Sequence, residues 1–115
     1  MKTEIRSILV PTDFSELSEN ALKVAISVAK RQNAEIRIIH VVDRFAYLPP
    51  TEVYLPGDWL TPDTMLILED RIKKFADQVI VESGVKVTGK VLAGPPSERI
   101  CWYAYTENTD LIVLG

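Results

Sequence analysis

Ile5-Arg6-Ser7-Ile8-Leu9-Val10-Pro11-Thr12-Asp13-Phe14-Ser15 is a β-branched, apolar run of strand length that stops at a proline. It hands Thr12 and Asp13 to a short turn, and a helix-type pattern starts within a few residues. In a parallel α/β sheet, the turn after the first strand faces the crevice where ligands collect. A carboxylate there suits a sugar hydroxyl, which donates hydrogen bonds, and repels a phosphate. Asp13 is therefore the leading candidate for a ligand contact. The local pattern also fits a purely structural role: Asp13-x-x-Glu16 matches a capping box and Ser15 is an equally good helix cap.

Outward from this stretch the chain alternates in one style. Strand one is read over Ile5 to Val10. A helix follows over Glu16 to Gln32, whose polar positions recur at three and four and leave Ala21, Leu22, Ala25, Val28 and Ala29 for a sheet. Strand two is Glu35 to Val42, an almost continuous apolar run of the kind a sheet covered on both faces requires. Periodicity vanishes from Asp43 to Thr61, where Phe45, Tyr47, Tyr54 and Trp59 sit among prolines. That stretch reads as a surface excursion, or as a flap or partner surface.

Thr61-Pro62 restarts the chain as cap and first helical residue. The second helix reaches Ser83, with Leu68, Ile72, Phe75, Ala76 and Val79 as its buried stripe, and Gly84 closes it. Strand three, Val85 to Leu92, alternates apolar and polar residues and so belongs at an edge with one wetter face. A third helix from about Ser97 to Thr106 turns Ile100 and Ala104 inward and gives Trp102, Tyr103 and Tyr105 to an aromatic surface. Strand four is Leu111 to Leu114, before Gly115. Strand–helix alternation through four strands predicts a parallel α/β sheet with helices on both faces and right-handed crossovers.

Composition narrows the function. The 115 residues make one domain. A net charge of −3 with no basic stripe argues against nucleic-acid binding. No apolar stretch approaches the roughly 18 residues of a membrane span. No signal-peptide pattern precedes strand one, and the lone Cys101 makes no intrachain disulfide or metal-site spacing. A cytoplasmic location without a metal site is expected.

Ile8-Leu9-Val10-Pro11-Thr12-Asp13-Phe14-Ser15, then Ala21-Leu22 and Ala25, Ile39-His40-Val41-Val42, Gly94-Pro95-Pro96 and Asp110-Leu111-Ile112-Val113-Leu114-Gly115 together resemble the universal stress protein family. The resemblance covers the whole chain in the family's order and spacing. It implies a Rossmann-like sheet (adenine nucleotide alpha hydrolase-like) of order 3-2-1-4-5 and, in many members, ATP binding. It further implies that Asp13 contacts a ribose, Val41 lines an adenine site, Pro11 and Thr12 border the pocket, and Leu114 lies near base and sugar. Gly115 would open the family's Gly-x2-Gly-x9-Gly-Ser/Thr phosphate loop.

The rest of that loop, the last helix and the fifth strand do not occur in the sequence, so 1–115 reads as a C-terminally incomplete domain of order 3-2-1-4. A nucleoside half-site is expected, with affinity for ATP or a related adenine nucleotide weakened by the absent phosphate loop. The outer edge of strand four is expected to drive homo-oligomerisation.

Other readings of the topology fit less well. Receiver domains need a phosphorylatable Asp where Val91-Leu92-Ala93-Gly94 stands. Flavodoxin-type carriers need a glycine-rich loop where Pro11-Thr12-Asp13-Phe14-Ser15 stands. Adenylyl-transferring relatives need His-x-Gly-His or Ser-Gly-Gly, and neither occurs. His40 reads as a neutral, hydrogen-bonded residue at a buried strand end rather than a general base. No nucleophile–base pair can be assigned. Catalysis is not expected of this chain, weak ATP hydrolysis by the complete domain being left open. The alternative is a stress protein that binds no nucleotide and acts by dimerisation and protein contacts.

Overall fold

A computed structural model describes residues 4–43 and 62–115. The aromatic stretch 45–59 and the Thr61 cap lie outside the described residues. The elements run β1 (Ser7–Pro11), α1 (Glu16–Gln32), β2 (Glu35–Val42), α2 (Pro62–Ser83), β3 (Val87–Ala93), α3 (Pro96–Thr106) and β4 (Leu111–Ile112). All three pairings are parallel, and the strand order is β3-β2-β1-β4, as the alternation predicts.

Each strand sorts its side chains by parity. Ile8 and Val10 of β1 and Ile36, Ile38 and Val42 of β2 face α1 and α2, packing on Leu22, Ala25, Ala29, Leu68, Ile72 and Ala76. Leu9 and Ile39 face the other way, onto Tyr103 of α3. A fully buried side chain of this size contributes about 1.5–3 kcal/mol through removal from water. Alanines at positions 21, 25 and 29 are buried on α1 and let the helix lie close to the sheet. Ser15 caps α1, its hydroxyl accepting from Ser18 N (3.3 Å), while Asn33 ends the helix in the left-handed region at φ 55°. Glu16 and Glu19 in the first turn and Lys30 and Arg31 in the last suit the helix dipole.

Two expectations change. The regular strands begin or end later or earlier than the apolar runs suggest, because a ladder exists only where a neighbour lies alongside. β1 starts at Ser7 opposite Glu35, β3 at Val87 opposite Ile36, and β4 keeps regular pairing only through Ile112. The bonding itself runs further, since Glu35 N donates to Arg6 O (2.9 Å) and Val113 N to Leu9 O (3.0 Å). The second change is Tyr103, which is buried at 7% exposure, whereas Trp102 (46%) and Tyr105 (86%) do face solvent. α3 must cross two strands to lead from β3 to β4, and position 103 points at the sheet between Ile100 and Ala104.

The end of the sheet opposite the strand tips is stapled. Asp110 Oδ2 accepts from Arg6 N (2.9 Å) and Ser7 N (3.1 Å), joining β1 to the start of β4. Arg37 Nη1 donates to Glu107 O (2.7 Å) and so holds the C-terminus of α3 against β2.

Candidate functional site

β1 ends where the proline interrupts the run, and Thr12 then makes the turn. Its N–H donates to Ile39 O (2.8 Å), which prolongs the β1–β2 pairing by one residue. The Thr12 carbonyl accepts from His40 Nδ1 (2.8 Å), so that ring nitrogen carries the proton. The Thr12 hydroxyl donates to Ser18 Oγ (3.0 Å) and accepts from Phe14 N (3.0 Å). Every polar group of this buried threonine thus has a protein partner. Thr12 shapes the turn rather than presenting its hydroxyl to the crevice.

Asp13 does the opposite and points outward. Its Oδ1 accepts from Ser15 N (2.9 Å). Hydrogen bonding from the Ser15 hydroxyl and then from the Ser15 N–H lowers its carboxyl from the ordinary carboxylate value, against the opposing effect of burial. The group is ionised at neutral pH and offers only acceptors. The helix cap is Ser15, so the capping-box role for Asp13 falls away. Phe14, next in line, lies in the left-handed region at φ 63°, a conformation that costs a non-glycine residue about 1–3 kcal/mol.

On the far side of the crevice, Gly94 bonds Val42 O through its N–H (3.1 Å) and takes a φ of 133°. This bend swings the chain from β3 into α3. β4 arrives on the other flank, and its continuation brings Gly115 against the first turn of α1. A Cβ added there would overlap the Leu17 carbonyl and come within 3.0 Å of Ser18 N.

The result is one cleft of about 320 Å³ at the C-terminal tips of β1, β2 and β4. Pro11, Thr12, Asp13, Val41, Leu114 and Gly115, the six residues singled out from the sequence, all line it. Ser15, Leu17, Ser18, Pro96 and Ile100 line it as well and were not singled out. The signal for Pro96 and Ile100 was the strand order: a helix that leads from β3 across β2 and β1 to β4 must begin above the tips it passes.

Larger depressions of about 540, 600 and 440 Å³ exist elsewhere, but none lies at the point where the strand order reverses. Among the described residues the cleft's walls are mainly apolar, Asp13 is its one charged side chain, and no lysine or arginine lines it. It can hold a flat apolar surface and accept hydrogen bonds from hydroxyls. Among the described residues, no group of three or more His, Cys, Asp or Glu side chains could hold a metal ion. Nor is any helix there long and apolar enough to cross a membrane.

Universal stress protein MJ0531 of Methanocaldococcus jannaschii is 35% identical over 116 aligned positions, covering 96% of this chain and 64% of that protein. The chain thus spans slightly less than two thirds of this relative's length. A universal stress protein family structure from Burkholderia pseudomallei superposes with a TM-score of 0.76 at 24% identity, covering 100% of this chain and 84% of the other. A universal stress protein solved in complex with cAMP superposes with a TM-score of 0.65 at 18% identity, covering 96% and 72%. At those identities the two structures establish a shared fold. The sequence pattern described as the Universal stress protein family matches residues 4–115, almost the whole chain, and that decides the matter: this chain belongs to the universal stress protein family.

Proposed function

We propose that the cleft binds the nucleoside part of an adenine nucleotide and that the chain acts as a stress-response binding and signalling domain, without turnover of its own. The observation that carries this is the convergence of three distant stretches on one cleft: Pro11 to Asp13, Val41, and Leu114 with Gly115. Asp13 supplies an ionised acceptor for sugar hydroxyls, and Val41, Pro96, Ile100 and Leu114 supply apolar walls for a base. A protein of the same fold that was solved with cAMP adds support. A binding role is favoured over catalysis because the one histidine is buried, with Nδ1 committed to Thr12 O.

Isothermal titration with adenosine, AMP and ATP tests the reading. Since no cation among the described residues lines the cleft, adenosine is expected to bind within a few fold of ATP. Asp13→Ala is expected to lower adenosine affinity by about tenfold or more, the loss of a charge-assisted hydrogen bond being about 1.5–3 kcal/mol. No heat with any of the three ligands would overturn it.

One observation favours a contribution from self-association. Ile112 and Leu114 are exposed beside the outer edge of β4, with which no strand among the described residues pairs. Pairing of two copies along this edge would cover both residues. Sedimentation that stays monomeric at high concentration would count against it.

A further inference from the structure

We propose that Arg71 of α2 is a positioning residue for the cleft: by pressing on Phe14 it fixes the turn that presents Asp13. The ligand part of this inference rests on the reading of the cleft as a nucleoside site; the structural part stands apart from it.

Neither Arg71 nor Phe14 lines the cleft. Phe14 follows Asp13 directly, and its backbone adopts a left-handed conformation that an aromatic residue does not keep unless its surroundings hold it there. Three side chains do so. The His40 ring lies with its centroid 5.0 Å away, the Phe75 ring meets it edge-on at 5.7 Å, and the Arg71 guanidinium sits 3.9 Å above the ring centroid. Arg71 and Phe75 are four residues apart on α2, so one helical turn delivers both to the same ring.

His40, the third contact, is the residue whose Nδ1–H holds the Thr12 carbonyl. The residues on either side of Asp13 are therefore anchored behind the cleft, Thr12 by β2 and Phe14 by β2 and α2 together. Ser15, whose N–H holds the Asp13 carboxylate, follows Phe14 immediately. A change in how Phe14 is clamped reaches that carboxylate through a single residue. Of the three clamps, Arg71 is the exposed one, placed on the outer side of the α1–α2 groove. It can be removed without opening the core.

The test compares Arg71→Ala and Arg71→Lys with the unaltered protein in three readouts. In Arg71→Ala, exchange of the Ser15 amide hydrogen is expected to quicken by about two- to fivefold, the range for losing an exposed cation–π contact. The Asp13 titration midpoint, followed by carbon NMR, is expected to rise toward the ordinary carboxylate value, while the amides of Ile72 and Ala76 in α2 keep their protection. Adenosine affinity is expected to fall about two- to fivefold, and Arg71→Lys to restore most of each change.

A Ser15 amide and an Asp13 midpoint that do not move in Arg71→Ala would overturn the proposal, whatever happens to melting temperature. Loss of affinity with those two readouts unmoved would overturn it equally. If the unaltered protein binds no adenosine, the nucleoside reading fails. The Ser15 and Asp13 readouts then still decide the role of Arg71.

Discussion

Replacing Thr12 with valine removes one oxygen from a buried position and leaves volume and branching almost unchanged. On burial alone the substitution favours the folded state, since valine is the more apolar residue. The hydrogen bonds predict the reverse. The Thr12 hydroxyl donates to Ser18 Oγ at 3.0 Å and accepts from Phe14 N at 3.0 Å, and valine does neither. Each lost bond is worth about 1 kcal/mol net, and a partly buried N–H left unpaired costs about 1–3 kcal/mol. The expected loss is therefore about 2–3 kcal/mol, a large share of the roughly 5–15 kcal/mol that holds an ordinary domain folded. For a chain of this length that corresponds to a fall of roughly 8–12 °C in Tm. Thr12→Ser is the control, because it keeps the oxygen and loses a methyl at about 1 kcal/mol. Thermal and urea melts followed by circular dichroism should rank the proteins unaltered, serine, valine. A valine variant that melts with or above the serine variant would refute the view that the hydroxyl is committed to the turn.

Gly89→Ala places a Cβ 2.8 Å from Ile72 Cγ1 and 3.0 Å from Ile72 O, so α2 must move off β3 at a cost of about 1–3 kcal/mol; urea denaturation should show the loss. Tyr103, whose phenol burial pushes up in pKa, keeps its stabilising effect below an unfolded value of about 10 and loses it as pH rises through its higher folded value. Melts between pH 8 and 11 should therefore fall more steeply for the unaltered protein than for Tyr103→Phe. Asp13 has the opposite sign: its lowered pKa contributes stability above the unfolded carboxylate value, lost as pH falls through the folded one. Asp13→Asn should accordingly flatten the acid limb of the melting profile.

The elements were legible where the chain carries its own signal. α1, β2 and the span of α2 through Ser83 follow from periodicity and, for α2, from the terminating Gly84, and the structure keeps those bounds. Strand ends were less legible because they depend on partners: Ile5 and Val85 have the side chains of a strand but no neighbour in register. Tyr103 was misread because three aromatics in four positions look like a surface cluster, while the crossing of α3 over the sheet turns one of them inward. The cleft was readable at the strand tips, where the topology brings Asp13, Val41 and Leu114 together. The commitment of Thr12 to His40, Ser18 and Phe14 was not, since nothing in the order of residues says which of a threonine's groups will find protein partners.

That commitment has a consequence for what the cleft can select. Thr12, Ser15 and Ser18 put three hydroxyls around the first turn of α1, and each is engaged within the turn. The N-terminus of a helix ordinarily attracts anions through its free N–H groups and its dipole. Here Glu16 and Glu19 sit in that first turn, Asp13 holds the Ser15 N–H, and Ser15 holds the Ser18 N–H. The positive end of α1 is therefore already balanced by the chain's own carboxylates. A phosphate arriving at this turn meets like charge and few free donors, whereas a neutral ligand with hydroxyls meets an ionised acceptor in a fixed orientation. On the proposed reading, the position of Asp13 is what discriminates between the two, and the hydroxyl groups around it hold the turn that carries it.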